Sequence, residues 1–228
     1  MIEYINISKK YSSGVTALSN INLKIKKGEF VFLVGSSGAG KTSLVKLLLK
    51  EIEPTKGKII VNGVDITKIK DREIPFLRRN IGVVFQEFRL LPNKTIFENV
   101  AFAKEIIGTP PKEIEERVCE VLKLVGLSDK KDCYPNELSG GEQQRISIAR
   151  AIVNKPDIVV ADEPTGNLDP ETAWDIMNLL KEINDIGTTV IMVTHAKEIV
   201  NFMERRVIAI NGGKIVRDEE RGVYYNVD

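Results

Sequence analysis

The sequence predicts an α/β domain whose core opens with an antiparallel β region and is interrupted by an inserted α-helical subdomain. Three features carry that prediction. An apolar strand runs into a glycine-rich loop and a helix around residues 29–51. A second apolar strand ends in two carboxylates at 158–163. Between them, roughly sixty residues change to helical periodicity, a length in keeping with a subdomain. The resulting division is a core of residues 1–87 and 156–228 around helical residues 88–155.

At 228 residues the chain suits one large domain carrying such an insertion. A hydrophobic share of 43% with 29% charged residues excludes disordered, collagen-like and coiled-coil classes. The net charge of +1 leaves no electrostatic footprint for nucleic acid or for an anionic bilayer. Membrane association is therefore expected through a protein partner. The apolar runs, such as Phe30-Val31-Phe32-Leu33-Val34, are far too short to span a bilayer. Met1-Ile2-Glu3-Tyr4 starts no basic or apolar leader, so a cytoplasmic location is expected. Cys119 and Cys133 form no CxxC pair and fit reduced, structural thiols.

In chain order, alternation predicts strands over 2–7 and 18–25, and Lys27-Gly28 turns into a buried strand over 29–34. A helix is expected over 41–51. Residues 58–61 and 64–66 form a hairpin about Asn62-Gly63, and 81–85 is a further strand. Thr95 and Glu98 have capping-box spacing ahead of Ile96, Val100 and Ala103. Thr109-Pro110-Pro111 opens a helix with Ile114, Val118, Val121 and Val125 on one face, stopped by Gly126. Ser139 opens another, to about residue 154. The remaining expectations are strands over 158–161, 188–193, 206–210 and 214–217, a helix over 170–184, and a peripheral tail over 218–228.

Gly35-Ser36-Ser37-Gly38-Ala39-Gly40-Lys41-Thr42 fits GxxxxGK[ST] between strand and helix. Glycines let successive N–H groups turn inward and the backbone approach phosphate, and the helix start adds partial positive charge. Lys41 then reaches the β- and γ-phosphates, and the Thr42 hydroxyl is placed for Mg²⁺. A glycine turn with no ligand is the plainer alternative. The four fixed positions arise by chance in roughly one chain in a hundred of this length, and the strand–loop–helix setting lowers that further.

Asp162 and Glu163 close the second strand. Neighbours on a strand face opposite ways, so separate tasks are expected: Asp162 toward Mg²⁺, Glu163 toward the attacking water. A surface pair capping the next helix is the competing explanation, and it weakens beside a phosphate loop.

Leu138-Ser139-Gly140-Gly141-Glu142-Gln143 begins a helix, and Ser139 with Glu142 has capping-box spacing. Paired glycines there are costly unless something approaches the backbone, which makes this a second phosphate-receptive end. Two such ends on different subdomains serve one nucleotide if two chains pair head to tail.

LSGGEQ identifies the chain as similar to the ABC ATPases, a resemblance that covers essentially the whole sequence. It implies a P-loop NTPase with a RecA-like core, ATP and Mg²⁺ as ligands, ATP hydrolysis, and a homodimer on ATP binding. By that resemblance Tyr11 stacks on adenine and Ser43 joins the phosphate loop. Gln86 touches Mg²⁺ or water and senses the membrane subunit. Residues 139–141 and Asp169 meet the partner's nucleotide, and His195 contacts the γ-phosphate. The segments 85–92, 98–102, 161–169 and 221–224 resemble a branch of the family containing cell-division, lipoprotein-release and export cassettes, most of all the cell-division kind. That implies an integral membrane subunit, a peripheral place on the cytoplasmic face of the inner membrane, and no nucleic-acid partner.

Overall fold

A computed structural model describes residues 1–224 of the chain; residues 225–228, the end of the tail expected to be peripheral, lie outside the described residues. The chain begins with β1 (Ile2–Lys10), β2 (Thr16–Ile25), β3 (Phe30–Val34) and α1 (Lys41–Leu48). It continues through β4 (Lys56–Val61), β5 (Val64–Asp65), α2 (Ile74–Arg79) and β6 (Ile81–Val84). Three helices follow: α3 (Ile96–Glu105), α4 (Pro111–Leu124) and α5 (Gly140–Ile152). The last third is β7 (Ile158–Asp162), α6 (Pro170–Asp185), β8 (Thr189–Val193), α7 (Lys197–Met203), β9 (Arg206–Asn211) and β10 (Lys214–Glu219).

Two sheets result. The smaller, in the order β2-β1-β4-β5, is antiparallel throughout. Its alternating inward residues, among them Ile2, Tyr4, Ile7, Leu18, Ile21 and Ile25, pack on Leu44, Leu47 and Leu48 of α1. The larger sheet runs β10-β9-β3-β8-β7-β6, parallel except for the β10 hairpin. Its central strand is apolar at every position because it feeds two cores. Phe30, Phe32 and Val34 enter one, and Val31 and Leu33 enter the other. Complete burial of a side chain such as Phe32 stabilises by roughly 1.5–3 kcal/mol.

Helices α3, α4 and α5 pack through Val100, Ile114, Val118, Val121, Ile146 and Ile152 onto the core that takes Phe32. Gly126, at φ 74°, ends α4 as the sequence implies. Both expected capping boxes form: Thr95 Oγ1 accepts from the Glu98 N–H, and Ser139 Oγ from the Glu142 N–H.

Three expectations need correction. The first helix stops at Leu48, not near residue 51. Lys50 takes φ 53°, its N–H bonds the Leu47 carbonyl, and the Glu51 N–H bonds the Lys46 carbonyl. That is a Schellman ending with lysine where glycine is usual, and Lys50 Nζ is held by Glu53 at 2.6 Å and the Thr67 carbonyl. Helices α2 and α7 were not anticipated. The first is six residues with no buried side chain, and the second only seven residues long. Finally, β1 extends to Lys10 through irregular pairing with β2, past the predicted end at residue 7.

Candidate active site

The phosphate loop joins β3 to α1, and two of its glycines are demanded by geometry. Gly35 has φ 147°, and a Cβ there would lie 2.1 Å from the Ile210 carbonyl oxygen. Gly40 has φ 116°, and a Cβ would lie 2.7 Å from that of Ala17. The loop is thus seated against β9 and β2. Lys41 is buried, and its Nζ donates to the carbonyls of Gly35 at 2.7 Å and Ser36 at 3.0 Å. Burial lowers its pKa, and the nearby carboxylates of Glu163 and Asp162 oppose that shift. Thr42 is exposed, whereas Ser43 is buried with its hydroxyl 3.0 Å from the Tyr11 hydroxyl. This contact fixes half-buried Tyr11 beside the first turn of α1, and Lys9 Nζ sits 5.2 Å from its ring.

Strand β7 ends at Asp162, so the expected strand alternation does not extend across the pair, and both carboxylates lie near Lys41. Glu163 lies just past the strand in a left-handed conformation, φ 49°, with its N–H bonded to the Val193 carbonyl of β8. Non-glycine residues in that region carry a strain on the order of 1–3 kcal/mol, and they persist where the surroundings fix them. Here His195 does so. Its N–H donates to Glu163 Oε2 at 3.3 Å, and its Nε2 lies 3.5 Å from Oε1, an ion pair only if the ring is protonated. Burial pushes the Glu163 carboxyl above the ordinary range, with His195 opposing, and burial raises Asp162 as well. A carboxyl raised toward neutral pH is suited to accepting a proton there.

Gln86 is exposed and tied to the loop after Glu163. Its Nε2 donates to Asn167 Oδ1 at 3.2 Å, and Asn167 Nδ2 returns a bond to the Gln86 carbonyl. Asp169 caps α6, accepting from the Thr172 N–H at 3.0 Å, and hydrogen bonding from the Thr172 side chain, then from that N–H, lowers its pKa. Ser139 Oγ is engaged in its own capping box, and Glu142 also meets Lys130 Nζ at 2.5 Å.

Packing explains one glycine of the pair at 140–141 and leaves the other without a steric reason. A Cβ at Gly141 would lie 2.3 Å from Thr172 Cγ2, so packing against α6 suffices there. At Gly140 the closest atom, on Leu168, would be 3.6 Å away, an ordinary contact.

The structure therefore gathers Lys41, Asp162, Glu163 and His195 in one place, links Gln86 to the segment leading into Asp169, and sets residues 139–141 against the start of α6. Asn167 and Gln144 were not singled out from the sequence. Asn167 lies within residues 161–169, but only the fold reveals its partner, Gln86. A cavity of about 710 Å³ lies elsewhere, lined by residues that include Val121, Leu124, Ile152 and Ile186, and it holds none of these groups. In the phosphate loop Ser36, Ser37 and Gly38 are exposed, whereas Gly35, Ala39, Gly40 and Lys41 are buried. Cys119 and Cys133 are free thiols.

A family model described as ABC transporter matches residues 18–166. The chain belongs to the ABC transporter family. The cassette is 59% identical over 228 residues to the Cell division ATP-binding protein FtsE of Bacillus subtilis, covering 100% of both chains. It is 54% identical over 225 residues to the protein of the same name from Mycobacterium tuberculosis, covering 98% of each. Among solved structures, a dimeric post-hydrolysis state of the ATP-binding cassette MJ0796, bound to ADP and Pi, aligns with a TM-score of 0.86 at 38% identity. That alignment covers 98% of this chain and 100% of the other. The cassette is thus an FtsE-like ABC ATPase, and the resemblance of its motifs to the cell-division branch is borne out along its whole length.

Proposed function

We propose that two copies of this cassette close on two ATP molecules. Each nucleotide is held by one chain's residues 35–43 and Tyr11 and by the other chain's residues 139–141 and Asp169. Glu163 accepts the proton of the attacking water, and Lys41 and His195 stabilise charge on the transferred phosphoryl group. The observation that carries this reading is the Glu163 carboxylate, fixed by His195 and electrostatically coupled to buried Lys41. Support for pairing comes from the dimeric neighbour at 38% identity.

Thr42, Asp162 and Gln86 are the oxygen donors we assign to magnesium, which when bound neutralises charge on the β- and γ-phosphates. No group of three or more His, Cys, Asp or Glu suited to a metal occurs among the described residues. A hydrated ion held mainly by substrate phosphates and one carboxylate is compatible with that donor set.

Residues 88–155 act in this proposal as a subdomain whose motion carries the state of the nucleotide, through Gln86, to an integral membrane subunit. No helix among the described residues is long and apolar enough to cross a membrane, so a peripheral position on the inner membrane's cytoplasmic face needs such a partner. The relatives' printed role in cell division favours an FtsX-like subunit and control of septal peptidoglycan hydrolases, with lipoprotein release or export as the competing output. Affinity purification of the tagged chain from detergent-solubilised membranes is expected to recover an FtsX-like multi-span protein. Recovery of a lipoprotein-release or export permease in its place would overturn the cell-division assignment.

A further inference from the structure

We propose that Gln144 is a positioning residue for hydrolysis, fixing the backbone beside Gln86 and beside Glu163 from a single amide. Gln144 lies in the second turn of α5 and is fully buried. Its Nε2 donates to the Pro164 carbonyl at 2.7 Å and to the Phe85 carbonyl at 3.3 Å. Pro164 directly follows Glu163, and Phe85 directly precedes Gln86. One side chain therefore holds both loops to the helix that starts at residues 139–141.

Arg150, on the same helix, secures the far side of Gln86. It donates to the carbonyls of Phe88 at 2.9 Å and Arg89 at 2.7 Å. Both of those residues sit at φ 51°, a conformation that needs external support.

The chemistry of Gln144 argues that these bonds are what the residue is kept for. Its Oε1 is sealed from solvent with no hydrogen-bond partner among the described residues. An apolar side chain would avoid that unsatisfied acceptor. Among uncharged side chains only an amide supplies two N–H donors, here to the buried Pro164 carbonyl and the partly buried Phe85 carbonyl. Because α5 also carries residues 139–141, Gln144 ties the helix proposed to meet the partner's nucleotide to the backbone beside this chain's Glu163. The inference rests on the assignment of Glu163 given above.

The test uses the full-length chain, with Gln144→Met removing both donors at similar volume and Gln144→Glu keeping the shape. For Gln144→Met we expect turnover to fall roughly tenfold or more, because misplacement by about 1 Å can cost on the order of a hundredfold. Affinity for a fluorescent ATP analogue and ATP-driven pairing in a Glu163→Gln background are expected to hold. Gln144→Glu can donate only as the neutral acid, which burial favours, and then through one O–H where the amide has two N–H donors. Its turnover relative to the parent is therefore expected to rise as pH is lowered from about 8 to about 6.

Parental turnover in Gln144→Met, or equal loss of turnover and ATP affinity, would overturn the proposal. So would failure of both variants to fold, which would make the residue a packing element. Unaltered turnover in Glu163→Gln would instead remove the reading of Glu163 and is scored separately.

Discussion

Replacing Glu163 by glutamine separates catalysis from stability, and the two effects have opposite signs. Losing a general base costs about 10²–10⁴-fold in rate, which is roughly 3–5 kcal/mol of barrier. The fold should not suffer. The carboxylate is 20% exposed, and its pKa is raised first by burial, so ionising it works against the folded state. An amide of the same shape removes that charge and still accepts the His195 N–H. A carboxyl whose folded pKa is raised favours folding while protonated, and that benefit is lost as pH climbs through the folded value. The melting temperature of Glu163→Gln relative to the parent is therefore expected to be equal or higher, with the gap widening as pH rises through the carboxylate range. The parent's own turnover should fall on the acid side at a pH above that of an ordinary glutamate. Phosphate release at saturating ATP and calorimetry across pH check both halves. Turnover within about threefold of the parent would refute the general-base assignment. A melting temperature several degrees below the parent's would refute the burial argument.

Two further outcomes test the packing around the site. Gly141→Ala drives a methyl group to 2.3 Å from Thr172 Cγ2, an overpacking of about 1–3 kcal/mol. It should weaken ATP-driven pairing in size-exclusion chromatography without changing nucleotide binding by the single chain. Thr172→Ser should rescue it, and absence of rescue would show that the crowding lies elsewhere. Asn99→Ala removes a fully buried amide that bonds the Leu91 N–H and the carbonyls of Leu91, Lys94 and Thr95. We expect destabilisation of about 2–4 kcal/mol, given the cost of stranded buried groups. Urea denaturation should show it, and an unchanged midpoint would contradict the role given to that amide.

What could be foreseen from the sequence was what is local. The phosphate loop, both capping boxes and the Asn62-Gly63 hairpin each rest on neighbours within a few residues, and each forms as expected. The continuous apolar run of β3 announced burial on both faces, though not that the faces would feed separate cores. Helix α7 is too short for apolar periodicity to stand out. Its position could have been inferred, since strands 188–193 and 206–210 need a crossover if parallel. The early stop of α1 depends on Lys50 being held by Glu53 and Thr67, contacts invisible to propensity. At the site, residue types were legible but not their restraints. Glu163's left-handed backbone, Asn167's grip on Gln86 and the reach of Gln144 to Pro164 all depend on tertiary neighbours.

The placement of β3 at the centre of its sheet sets a timetable for synthesis. Both flanking strands, β8 and β9, come from the last fifth or so of the chain, and Gly28, at the turn into β3, bonds Thr189 161 residues later. At translation rates of about 5–20 residues per second, that strand waits on the order of ten to thirty seconds for its first neighbour. Throughout that interval the emerging polypeptide carries an unpaired, uncharged apolar strand, the kind of segment that invites aggregation. Products terminated before residue 189 should therefore be ready clients for chaperones and proteases, because β3 then lacks both of its neighbours.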